Sequence, residues 1–285
     1  MLFKQAIKNF KTYLQTRDYS ESTITGYRKE LTYFNRWLEN TYNGLVYLDD
    51  ISIDDLEDYL LYRQKKGDST ASRSRIGYIF KSFFKYVAKK DLGQNIALDL
   101  EPVKVRKKER SYLSPAEMEE VLTALDKPLI RVVTIFLYHT GTRIGECLDL
   151  QLDDIDFKND IIHIKQGKGN KDRDLALNSE LKEELTAYLE NIRPEVESPY
   201  FFATKRSGSL SRAYYNRRLK RAVHKAGIEK DITAHCIRHS TAVALVKKGV
   251  DLPTIQKVLG HSNLKTTSIY VHSDMSQMRE ALEVI

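Results

Sequence analysis

The apolar periodicity of this chain stops between residues 96 and 112, and that break sets what it can fold into. Pro102 and the run Lys104-Val-Arg-Lys-Lys-Glu-Arg110 carry no helical repeat. On both sides, apolar residues recur at helical spacing. The break predicts a basic linker over 96–112, joining an N-terminal domain, 1–95, to a larger C-terminal one, 113–285. The length of 285 residues fits two domains, and an apolar share of 41% is ample for a core in each.

The N-terminal half reads as four helices. Phe3, Ala6, Ile7, Phe10 and Leu14 mark the first. Ile24, Tyr27, Leu31, Phe34 and Leu38 mark the second, with Ser22 or Thr23 as N-cap and an end near Asn43-Gly44. A third follows Ser52 with Leu56, Tyr59, Leu60 and Arg63 before Lys66-Gly67, and a fourth follows Ser69 with Ile76, Ile79, Phe80, Phe83, Phe84 and Val87. Short polar turns between them predict a small bundle. The C-terminal half opens at Ser114-Pro-Ala-Glu117, an N-cap with proline at N1 and an acidic first turn. Helices are expected over 114–125, 128–140 and 143–148, then 179–191, 211–226, 236–247, 251–258 and 264–270, with a last segment from 274. Strand composition occurs near 156–157, 161–164 and 174–177, a small antiparallel sheet in an otherwise helical domain. The fold class is mainly α, in two domains.

Several function classes fall away. Cys147 and Cys236 make neither a disulfide framework nor a zinc site. No apolar run reaches the roughly 18 residues of a membrane span, and the N-terminus turns charged too early for a signal peptide. A soluble cytoplasmic protein with no membrane partner is expected. Net charge is +7, with five basic and two acidic residues packed into 101–112, and nine basic and one acidic between Thr204 and Lys230. Local basic stripes point weakly to nucleic acid. On charge alone, a solvated helix face and an ordinary linker account for them equally.

Four segments carry chemistry. In Thr140-Gly-Thr-Arg-Ile-Gly-Glu146, Thr142 as N-cap would place Arg143 at a helix N-terminus, where guanidinium and backbone N–H groups suit an anion. Gln166-Gly-Lys-Gly-Asn-Lys-Asp-Arg173 is a basic, glycine-rich turn between two strands. In His235-Cys-Ile-Arg-His239, helical spacing puts His235 and Arg238 on one face. His235 and His239 share metal spacing but lack a third ligand, so no metal is expected. Leu259-Gly-His261 reads as a glycine-capped helix end, followed by Thr266-Thr-Ser-Ile-Tyr270-Val-His272.

Taken in order, Arg143, Lys168, His235, Arg238, His261 and Tyr270 resemble the active site of the tyrosine recombinase (phage integrase) family. The resemblance spans the C-terminal domain, the N-terminal helices are similar to the family's SAM-like core-binding domain, and the layout is closest to Xer-like members. It implies a site-specific recombinase working through a 3′-phosphotyrosine intermediate and a Holliday junction, with no cofactor. Tyr270 is then the nucleophile, His235 the base, and Arg143 and Arg238 the cations on the non-bridging oxygens. Lys168 is the acid for the leaving 5′ oxygen, and His261 hydrogen-bonds the phosphate or the transition state. Glu146, one turn after Arg143, orients the site from behind.

The basic segments then become DNA contacts: Lys104, Arg106, Lys107, Lys108 and Arg110 in the linker, and Arg212, Arg217, Arg218, Lys220 and Arg221 on one helix. Arg73 and Arg75 are candidates for groove reading. The expected partners are double-stranded DNA with inverted-repeat core sites and further copies of the chain, a tetramer in the synapse docked through the apolar tail Met275, Met278, Leu282, Val284 and Ile285. A second recombinase or accessory protein is left open. So are chromosome dimer resolution, transposon cointegrate resolution and element integration. Two rivals share these residues: a type IB topoisomerase-like nicking and closing enzyme, and a catalytically silent DNA-binding protein.

Overall fold

The computed structural model describes residues 1–105, 111–165 and 172–260. The chain packs as two compact units, Met1–Lys108 and Glu109–Ile285.

The first unit is built from α1 (Phe3–Gln15), α2 (Glu21–Tyr42), α3 (Ile53–Lys65) and α4 (Thr70–Lys89). All the apolar positions expected to face inward on α1 are buried. The rings of Phe34 and Phe80 stand 4.7 Å apart, and Phe3 and Phe10 meet Phe83 edge-on at 5.4 and 5.3 Å. These aromatic geometries add to plain area burial. Arg63 also turns inward: it pairs with Glu30 of α2 and donates to the Tyr59 hydroxyl at 2.9 Å. Ser52 and Ser69 cap α3 and α4 as expected. The cap of α2 is Ser20, earlier than Ser22 or Thr23: its hydroxyl accepts from the Thr23 N–H at 3.3 Å, so the helix gains a further half turn. Ala97 and Leu100, within the expected linker, are fully or nearly fully buried in this core, so apolar packing continues past residue 95.

The second unit centres on α6 (Pro128–Thr140), which is apolar nearly all round and accordingly buried. Packed on it are α5 (Pro115–Ala124), α7 (Ile144–Asp149), α8 (Ser179–Asn191), α9 (Arg212–Lys225) and α10 (Ala234–Lys247), while α11 (Leu252–Leu259) packs on α10. The sheet has three antiparallel strands in the order β1 (Ile155–Asp156), β2 (Ile161–Ile164) and β3 (Arg173–Ala176). Ile162 pairs with Leu175 and His163 with Asp174. Ile162 and Ile164 are buried while Ile161 and His163 are only partly so, the alternation of a sheet with one face on the core. Helix α10 starts two residues before its expected position. The Ala234 N–H is satisfied at 3.0 Å by the Asn216 side chain of α9, a cap from another helix.

Candidate active site

The site is assembled where α6 ends. Gly141 terminates that helix at φ +60°, and a methyl built there would lie 2.7 Å from Leu259 Cδ2. Glycine therefore meets both a backbone and a packing demand. From α10, Thr241 Oγ1 donates to the Tyr138 carbonyl at 2.8 Å, and Arg238 Nη1 donates to the Gly141 carbonyl at 2.8 Å. Arg238 is only 3% exposed. Burying a guanidinium requires partners of this kind, and here the partner is the turn that leads into Arg143.

Thr142 does not cap α7. It is buried and hydrogen-bonds Thr140, and Arg143 itself occupies the N-cap position with extended backbone. The Arg143 N–H donates to Glu146 Oε2 at 2.9 Å, so it is committed within the protein. What Arg143 presents is its side chain, which is 40% exposed. Its Nη1 lies 2.5 Å from Glu146 Oε1, and its Nη2 donates to the Gly260 carbonyl at 3.3 Å.

Glu146 is 8% exposed and receives a second guanidinium, Arg173, at 2.9 Å. Burial pushes its carboxyl up, but the Arg173 hydrogen bond, the Arg143 N–H, the Arg173 charge and the Arg143 side-chain hydrogen bond outweigh that and hold it below the ordinary carboxylate value. In the sequence, Arg173 stands out only as the end of the basic turn. The strand period offers a further signal: residues 173, 175 and 177 share a face, and Leu175 and Leu177 are buried.

His235 lies in the first turn of α10, on the helix that carries Arg238, but the shared face is not shared burial: His235 is exposed while Arg238 is buried against the 141–143 turn. Lys168, His261 and Tyr270 lie outside the described residues, as does the C-terminal tail. Gly260, immediately before His261, and Arg173, which begins β3 five residues after Lys168, are described and belong to the cluster. Among the described residues there is no group of three or more His, Cys, Asp or Glu side chains placed to hold a metal, and no helix long and apolar enough to cross a membrane.

The expected DNA contacts divide. Lys104 and Arg75 are exposed. Arg75 and Tyr78 line a shallow cleft with Ser22, Thr23, Tyr27 and Ile79. Arg73 is half-buried, and its Nη1 donates to Gln64 at 2.8 Å. On α9, Arg212, Arg217, Lys220 and Arg221 are exposed. Arg212 overlies Gly145, where a built methyl would lie 2.9 Å from its Nη2. Arg218 turns inward, donating to the Tyr214 hydroxyl at 3.1 Å and pairing with Asp126 at 3.4 Å. Arg106, Lys107, Lys108 and Arg110 lie outside the described residues.

Comparison with known proteins shows the family. Residues 111–277 match the phage integrase family, and residues 7–91 match the phage integrase N-terminal SAM-like domain. The tyrosine recombinase XerC of Lactobacillus delbrueckii subsp. bulgaricus is 33% identical over 287 residues, covering 95% of each chain. The XerH site-specific recombinase, solved on a palindromic difH substrate in a post-cleavage complex, is 26% identical with a TM-score of 0.73, covering 94% of this chain and 81% of that one. The Tn1549 transposon integrase, in complex with a circular intermediate DNA, shares the fold at a TM-score of 0.81 and 20% identity over the whole of both chains. With both domain types matched in order and a relative one-third identical along nearly the whole chain, the chain belongs to the phage integrase family, as a tyrosine recombinase.

Proposed function

We propose that the protein is a site-specific DNA recombinase that cleaves and rejoins strands through a covalent link between Tyr270 and a 3′ phosphate. The observation that carries this reading is that buried Arg238 is anchored on the Gly141 carbonyl, two residues before the half-exposed Arg143 side chain, in a chain whose relatives are tyrosine recombinases along nearly its full length. Two permanent cations with fork geometry suit the two non-bridging oxygens of a phosphodiester, whose negative charge grows in the transition state. Buried Glu146 keeps the Arg143 guanidinium from swinging freely.

In the cleavage step the Tyr270 oxygen bonds to phosphorus and the bond to the 5′ oxygen breaks. The phenolic proton, with a pKa of about 10 in water, passes to His235. The departing 5′ oxygen takes a proton from Lys168, and His261 donates a hydrogen bond to the phosphate. The phosphotyrosyl bond conserves the cleaved linkage, so a 5′ hydroxyl from another strand reverses the step with no outside energy source. Strand exchange then passes through a Holliday junction. Exposed Lys104, Arg75, Arg212, Arg217, Lys220 and Arg221 supply phosphate contacts. XerH was solved on a palindromic substrate, which supports inverted-repeat core sites as the DNA partner. Four copies coupled through the C-terminal tail would form the synapse, in the cytoplasm.

The test uses a nicked suicide duplex carrying the site that the purified protein selects from randomised DNA. Tyr270→Phe is expected to bind this duplex and trap none of it covalently; trapping by the variant would overturn the nucleophile assignment. Relaxation of supercoiled plasmid lacking that site would instead favour a topoisomerase-like activity.

A further inference from the structure

We propose that Arg173 is a positioning residue that holds three parts of the active site in one register: the Arg143 box, the start of the strand that follows Lys168 in sequence, and the Leu259-Gly260 helix end that precedes His261. The inference rests on the catalytic assignments proposed above and adds to them a residue that does not touch the phosphate.

Three relations converge on one side chain. Arg173 Nη2 donates to Glu146 Oε2 at 2.9 Å. Its Nε donates to the Val258 carbonyl at 3.3 Å. Its guanidinium lies against Gly260, so close that a methyl built there would sit 2.9 Å from both Cζ and Nη1. Gly260 in turn accepts from Arg143 Nη2, and Arg143 closes the ring by pairing with Glu146. The circuit therefore runs from Arg143 to Glu146, to Arg173, to Gly260 and back. Two of its members adjoin proposed catalytic segments in sequence: Gly260 precedes His261, and Arg173 follows Lys168.

Energetics favour placement over stability as the reason for this residue. Arg173 is 11% exposed, and its Nη1 is buried with no hydrogen-bond partner among the described residues. An unsatisfied cationic N–H in the interior is costly, and an apolar side chain of similar size would avoid that cost. What an apolar residue cannot do is address a carboxylate and a backbone carbonyl from one rigid plane. Lysine cannot either, because its ammonium is a point donor on a flexible stem.

The experiment measures single-turnover cleavage of the nicked suicide duplex by Arg173→Gln and Arg173→Lys in the full chain, with DNA affinity, melting midpoint and the pH–rate profile. Both variants are expected to cleave about 10–100-fold more slowly at unchanged affinity, as for other supporting-shell losses. In Arg173→Gln the acid limb of the profile moves to higher pH, since Glu146 loses the cation that keeps it ionised. Adding Arg173→Gln to Glu146→Gln costs nothing further, because both act through one circuit. Cleavage at the wild-type rate with an unmoved acid limb would overturn the proposal. So would a loss that follows the melting midpoint or is additive with Glu146→Gln. If Arg173→Gln does not fold, Arg173→Lys decides the question through its rate alone. Arg143→Ala separates the two readings: if it cleaves normally, the catalytic assignment fails, whereas if it is dead while Arg173→Gln is normal, only the positioning role fails.

Discussion

At the residue scale, one device recurs. A carboxylate three residues after a helix N-cap closes that cap and also receives a cation from far along the chain. Glu146 takes the Arg143 N–H and Arg173; Glu117 takes the Ser114 N–H at 2.8 Å and Lys230 at 2.6 Å. The cap is legible in Ser114-Pro-Ala-Glu117, because it needs only four consecutive residues. The cation, 113 positions away, is not. Lys230 and the Ser114 N–H hold the Glu117 carboxyl below its ordinary value of 4.5 against a smaller upward push from burial. A depressed folded pKa contributes stability that is full above the unfolded value and is lost as pH falls through the folded one. Glu117→Gln should therefore flatten the acid-side decline in the urea midpoint, seen below about pH 4.5; an unchanged decline would mean that the Lys230 pair contributes nothing measurable.

At the element scale, helix existence followed from periodicity and helix ends followed from neighbours. The apolar positions of α1, α3 and α4 are buried as their spacing predicts, because a 3.6-residue repeat fixes which face meets the core. The start of α10 is different. Thr233 makes no side-chain cap there, and the buried Ala234 N–H relies on Asn216 of α9. This helix carries both His235 and Arg238, so α9 helps to set their height. Asn216→Ala is expected to cost about 1–3 kcal/mol by leaving that N–H unpaired, while Asn216→Asp, which keeps the acceptor, should retain most of it. Equal urea midpoints for both variants and wild type would remove α9 as the cap.

At the scale of the molecule, net charge says less than its distribution. The +7 excess is modest, and some cations that look available in sequence are committed inside the protein. Arg218 faces Tyr214 and Asp126, Arg173 faces Glu146, and Arg63 faces Glu30. Among the described residues, Lys104, Arg75 and the exposed arginines and lysine of α9 are the proposed DNA contacts that stay at the surface. Replacing Lys104, Arg106, Lys107, Lys108 and Arg110 with glutamine should make the slope of log affinity against log salt shallower by about 0.9 for each phosphate no longer neutralised; an unchanged slope would take this segment off the duplex. The two-part organisation, the four N-terminal helices, the sheet among helices and the ordered motif residues were determined by the sequence itself, because periodicity, caps and motif spacing are local or strictly ordered along the chain. Only the tertiary structure decided that Arg143 is its own helix cap, that Arg238 is buried on the Gly141 carbonyl, and that Arg173 belongs with Glu146 and Gly260. The long-range pairings join groups 27 to 117 residues apart, brought together by the packing of α6, α7, β3, α10 and α11, and no local pattern encodes which distant partner satisfies a buried charge.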